Sequence, residues 1–166
     1  RGRPRALSIG LAALVATIGV LDQVPRRSAP EARALLVERV QADVRFGREL
    51  EEVLPQGAMV FQLPVLGFPE VTPPHRLADY ELFRPYLHTS SLRFSYGGAK
   101  FRSRSRWQRD LESVPPAELV QSLERYGFAA LYLNRKGFKD GGEGLLGELK
   151  QLGYRRVIES PRKEQV

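Results

Sequence analysis

Ala58–Val65 reads AMVFQLPV, with Gln62 its only polar residue. A short run that is apolar at nearly every position marks a strand covered on both faces. Pro64 belongs near its end, because proline cannot donate to a ladder. Phe128–Asn134, FAALYLN, is a second run of this kind. Leu92–Tyr96 alternates Leu92, Phe94 and Tyr96 with Arg93 and Ser95, which also predicts a strand, and Arg155–Ser160 reads as a last one. Helical spacing separates them. Leu119, Val120, Leu123 and Tyr126 follow Val114-Pro115-Pro116, and Leu145, Leu146, Leu149 and Leu152 follow Asp140-Gly-Gly-Glu143, which has capping-box spacing. Gly127 and Gly153 stand where left-handed cap residues close helices, giving the same helix–glycine–strand corner twice. Leu77–Leu87 reads as a further helix, interrupted by Pro85. Strands alternating with helices predict an α/β fold: a small, mostly parallel sheet of about four strands with helices on both faces.

Upstream, Ala6–Leu21 (ALSIGLAALVATIGVL) is an uncharged run between Arg5 and Asp22. As a helix it covers about 24 Å, against a hydrocarbon core of about 30 Å. It reads as a short transmembrane helix with a basic flank over residues 1–24, with a signal peptide and a buried core helix as alternatives. Ser28-Ala-Pro-Glu31 has capping-box spacing and opens a linking amphipathic helix within 25–57, with Leu36, Val40, Val44, Leu50 and Leu54 on one face. Residues 58–166 form the α/β domain. The chain opens on Arg1 rather than Met, as a fragment or a processed product would.

The 166 residues carry a net charge of +7 and no cysteine. Thiolate metal sites, disulfides and a cysteine nucleophile are thereby excluded. The charge concentrates in Ser91–Arg109, SLRFSYGGAKFRSRSRWQR, where no acidic residue occurs before Asp110. The strand there breaks at Gly97-Gly98 and empties into a cationic loop. Gly97-Gly98-Ala99-Lys100 lacks the spacing of a phosphate loop, and no helix is predicted after it.

In open parallel sheets ligands sit beyond the carboxyl ends of the strands. Three loops meet that description: Leu66–Arg76, Gly97–Gln108 and Asn134–Gly142. With Arg93 of the strand Leu92–Tyr96, the second of them brings Lys100, Arg102, Arg104 and Arg106 as phosphate or headgroup contacts. Tyr96 and Trp107 are surfaces for a sugar, and Glu70, His75 and Asn134 are further ligand-binding candidates. Each has a plainer reading: a solvated arginine face, a core Tyr96, a solvated loop carboxylate. His75 and His88 lie far apart in sequence, so no metal site is expected. No nucleophile elbow, paired-carboxylate motif or dinucleotide fingerprint appears, so no catalytic residue is identified, and no cofactor is expected.

The succession Leu21-Asp-Gln23, Leu54-Pro-x-Gly57-Ala-Met-Val-Phe-Gln-Leu-Pro64, Phe68-Pro-Glu70, Tyr86-Leu-His88, Leu92-Arg-Phe-Ser-Tyr-Gly97 and Trp107-Gln108 resembles the carboxy-terminal part of bacterial multi-pass membrane proteins of surface-polysaccharide assembly. Those are glycosyltransferase-like or sugar-translocase-like. The resemblance covers about Leu21–Tyr132 and implies the last membrane span plus an extracytoplasmic accessory domain at the inner membrane. Its implied partners are anionic lipid or a polyprenyl-phosphate sugar and the parent's upstream helices. It transfers no catalytic residue. Two other classes stand beside it: a soluble nucleic-acid-binding module, argued only by basicity and lacking any recognised motif, and a small α/β enzyme acting on a phosphorylated metabolite.

Overall fold

The computed structural model describes residues 5–23 and 30–166. The chain divides into two compact units, Arg1–Glu38 and Arg39–Val166.

In the first unit, α1 (Arg5–Gln23) forms over the apolar run. Every side chain described on it is exposed, Leu7, Ile9, Leu14 and Ile18 among them. Among the described residues no helix is long and apolar enough to cross a membrane. Ser28 of the expected capping box lies outside the described residues. The next helix, α2, spans Pro30–Val53, and proline is well suited to the first helical turn.

The second unit is α/β. Among the described residues it has a three-stranded parallel sheet in the order β2-β1-β3, from β1 (Met59–Leu63), β2 (Arg93–Phe94) and β3 (Phe128–Leu133). Met59 pairs with Arg93 and Val60 with Phe94 on one side of β1. Val60 to Leu63 pair with Ala130 to Leu133 on the other. Side chains alternate across the sheet as a strand's period requires. Val60 and Tyr132 join Phe46, Leu50, Leu82 and Leu92 on one face. Phe61, Leu63 and Leu133 join Leu111, Leu119 and Leu123 on the other. The first face is covered by α2, a 3-10 turn at Glu81–Phe83 and the one-turn α3 (Arg84–Leu87). The second is covered by α4 (Ser103–Glu112), α5 (Pro116–Arg125) and α6 (Glu143–Gln151). Gly127 and Gly153 close α5 and α6 with φ of 84° and 99°.

Five expectations change. First, Arg155–Ser160 makes no strand. The tail instead meets the end of β3 in an isolated antiparallel bridge: Leu133 N donates to Val166 O at 2.7 Å and Val166 N to Leu133 O at 3.0 Å. Arg155, Arg156 and Val157 stay exposed, while Ile158 packs against the Phe46 cluster and Ser160 is buried, so the stretch touches the core only at its end. Second, Leu77–Leu87 is not one helix; Pro85 can only sit in a first turn, and α3 starts there. Third, the buried face of α2 is Ala42, Asp43, Phe46, Gly47 and Leu50, whereas Leu36, Val40 and Val44 are exposed. The helix packs closely at Gly47, where a Cβ would collide with the His88 carbonyl oxygen. Fourth, β2 is only two residues long. Beyond Phe94 side chains continue the pairing, with Gln62 N donating to Ser95 Oγ at 2.8 Å and Tyr96 N to Gln62 Oε1 at 3.1 Å. Fifth, most of the cationic loop is the helix α4. Its buried residues are Ser105, Gln108 and Leu111, spaced one turn apart, so its inner face mixes polar side chains with the apolar Trp107 and Leu111.

Candidate functional site: a basic and aromatic cleft beside the edge strand

The chain leaves β1 toward the Phe46 face and β3 toward the Phe61 face, so the topological switch point lies at the ends of β1 and β3. That crevice is filled. Gly137 packs so tightly there that a Cβ would lie 2.5 Å from Pro64 Cδ. Asn134 is fully buried, its Oδ1 accepting from Lys136 N at 3.1 Å in the 3-10 turn Arg135–Gly137.

The open cleft lies elsewhere, beside β2, with a volume of about 670 Å³. Arg93 and Ser95 belong to the floor, on the second face of the sheet. Ser103, Arg104, Trp107 and Gln108 of α4 and Tyr126 form walls, and the backbone of Tyr96, Gly97 and Gly98 closes one end. It exists because β2 is too short and α4 too polar to seal this part of the face. Gln108 is buried and fixes the wall, its Nε2 donating to Ser95 O at 2.9 Å. Trp107 is held by rings on its inner side: edge-on to Tyr126 at 4.7 Å and to Phe61 at 6.2 Å, and stacked with Phe128 at 6.2 Å.

The electrostatics are one-sided. Arg93, Lys100, Arg102, Arg104, Arg106 and Arg109 take part in none of the ion pairs among the described residues. The α4 N-terminus adds to this field. First-turn N–H groups have no intrahelical acceptor, and Arg102 at the cap position makes no side-chain capping bond. Aligned N–H groups, guanidinium forks and an aromatic wall can hold a phosphate carrying a ring or a chain. Among the described residues no proton-transfer pair faces the cleft.

The cleft thus unites Arg93, Tyr96, Arg104 and Trp107 of the residues singled out from sequence. Tyr96 turns its ring the other way, into a cluster with Phe68 and Phe83 at 6.3 and 4.8 Å. Burial, then the nearby Tyr80 and Asp79, push its hydroxyl above the usual phenol range. Lys100 lies against Gly67, Arg102 precedes α4, and Arg106 is exposed along it. Glu70 and His75 are exposed on the loop after β1 and do not line the cleft. The three loops do touch one another: Phe68 bridges Ala99, and Arg76 N donates to Lys136 O at 3.1 Å. Asn134, however, faces the interior. Sequence reading missed Ser95, Ser103 and Gln108; with polar Ser105 and Gln108 at its buried positions, α4 leaves no hydrophobic period in the sequence to mark it.

A second polar centre, invisible in the sequence, lies buried beneath the tail. Arg84 bridges Asp43 of α2 and Glu164 of the tail, and Lys136 bridges Glu164 and Glu81, each at 3.2 Å. It ties elements together and opens onto neither cavity. Another cavity, a groove along β3, is mainly apolar, between Leu54, Ala130, Leu131 and Val157, and holds none of the predicted site residues. Comparison with protein-family models, with curated proteins and with solved structures gives no match.

Proposed function

We propose that this chain is the extracytoplasmic accessory part of an inner-membrane protein of cell-surface glycan assembly. Its basic and aromatic cleft binds the phosphate of a lipid-linked sugar or of a lipid headgroup. The observation that carries this is the cleft itself: Arg93 and Arg104, without acidic partners among the described residues, stand around a helix N-terminus and beside Trp107. Two further features support it. The exposed apolar surface of α1, and that of Leu35, Leu36, Val37, Val40 and Val44 on α2, is suited to lipid or to neighbouring membrane helices. The sequence resemblance supplies the glycan-assembly setting.

The test is a titration of the full chain in detergent micelles with a short-chain isoprenyl phosphate, read by the emission of Trp107, the one tryptophan of the sequence. Saturable binding is expected. Arg93→Ala or Arg104→Ala should weaken it about tenfold each, the scale of one charge-assisted hydrogen bond. An unchanged affinity in the double variant would refute the reading.

A further inference from the structure

The turn between Ala99 and Ser103 places Phe101 93% exposed, in a left-handed conformation with φ of 65°. A bulky apolar side chain rarely adopts that conformation, and nothing in the fold gains from it, since the ring covers no neighbour. What surrounds it is cationic. Lys100 and Arg102 flank it, and Arg104 and Arg106 follow on the first turns of α4. None of these has an ion-pair partner among the described residues. Lys100 and Val71 both lie against Gly67, so the neighbouring loop adds a half-exposed apolar side chain beside the turn. Ser103 and Arg104, at the end of this turn, already line the cleft.

We infer that Phe101 is a membrane-inserting tip: its ring enters the acyl boundary of an anionic bilayer while Lys100, Arg102, Arg104 and Arg106 sit at headgroup depth. An aromatic ring ringed by basic side chains matches the layered chemistry of that interface, apolar below and anionic above. A protein partner would instead have to supply both a pocket for the ring and several acidic groups around it. The inference rests on the reading that this cationic end faces phosphate-bearing lipid, and it narrows that reading. A tip that enters the bilayer brings the cleft mouth to the membrane surface, so the phosphate bound there is lipid-borne rather than that of a free metabolite.

The test uses the full chain with Phe101→Trp and Trp107→Phe, which moves the single indole to the tip. The protein is reconstituted into vesicles of phosphatidylcholine with or without phosphatidylglycerol, and quenching by lipids brominated along the acyl chain is recorded. The indole is expected to shift to the blue and to be quenched by shallow bromines in the anionic vesicles. Both effects should be lost in pure phosphatidylcholine, and in anionic vesicles when Lys100, Arg102 and Arg106 are changed to Gln. A water-exposed, unquenched indole in both vesicle types overturns the inference, as does shielding produced only by added polyglutamate, which would indicate an acidic protein partner. The isoprenyl phosphate titration of the unmodified chain separates the two ideas. If that ligand binds while the indole at 101 stays wet, the insertion is wrong and the cleft reading stands; if neither occurs, both fall.

Discussion

Arg84 on α3 grips Asp43 on α2 with two hydrogen bonds, Nε to Oδ2 at 2.8 Å and Nη2 to Oδ1 at 2.6 Å. Its remaining arm reaches Glu164 of the tail at 2.9 Å. One guanidinium thereby joins three segments far apart in sequence, and Gln165 adds a bond to the same Asp43 at 3.2 Å. Arg84→Ala leaves Asp43 buried without its cation and should cost about 3–5 kcal/mol in urea denaturation. Asp43→Leu combined with Arg84→Met removes both charges and should recover most of that loss, because an apolar pair of similar volume avoids the desolvation cost.

Glu51 on α2 fastens the start of β2. Its Oε1 accepts from Ser90 N at 2.6 Å, Ser91 N at 2.7 Å and Ser91 Oγ at 2.8 Å. The backbone bonds from Ser90 and Ser91, followed by the Ser91 hydroxyl, hold this carboxyl well below its usual 4.5, at about 2. A folded-state value below the unfolded one stabilises at pH above 4.5, and that stability is lost as pH falls toward 2. Glu164 shifts in the same direction: burial opposes its ionisation, but Arg84 and Lys136 more than offset this. Urea midpoints of the parent chain and of Glu51→Gln should therefore differ most above about pH 5 and converge at about pH 2. A constant gap across that range would show that the carboxylate's charge is irrelevant.

Two helix glycines should respond to alanine with opposite signs. A Cβ added to Gly147 on α6 would meet no atom within 4 Å, so Gly147→Ala should stabilise by about 0.5–1 kcal/mol through helix propensity. A Cβ added to Gly47 on α2 would run into the His88 carbonyl, which is backbone and cannot swing aside. Gly47→Ala should destabilise by about 1–3 kcal/mol, the overpacking cost exceeding the propensity gain. Thermal melts of the two variants check this directly.

Gln62, the polar residue in the central strand, is a connector. Its Nε2 donates to Leu82 O at 2.7 Å and its Oε1 accepts from Tyr96 N. Gln62→Leu keeps the size but strands both partners, at about 1–3 kcal/mol for each buried group left unpaired. Amide exchange at Tyr96 should accelerate in this variant, and with it the cleft's closed end should loosen.

A sequence shows best those features whose cause is local. The apolar run of β1 is buried on both faces and that of β3 packs into both core clusters, so composition alone marks them. Gly127 and Gly153 end helices for a reason contained in their own backbone. The cleft was half legible. Arg93, Arg104, Trp107 and the Gly97-Gly98 break stand close in sequence and are brought together by one strand and one helix. The helix itself was not legible, because Ser105 and Gln108 are buried through partners that a hydrophobic pattern does not register.

What the sequence determined alone was the class of fold, the parallel central strands and the place where positive charge collects, since each follows from residues that act on their neighbours in the chain. The tertiary structure alone decided which face of α2 is buried, that the tail rather than Arg155–Ser160 bonds to the end of β3, and that Asn134 turns inward while Phe101 turns out. These outcomes depend on polar pairs such as Arg84 with Asp43, 41 positions apart, and a buried polar residue carries no mark in the sequence until its partner is in place.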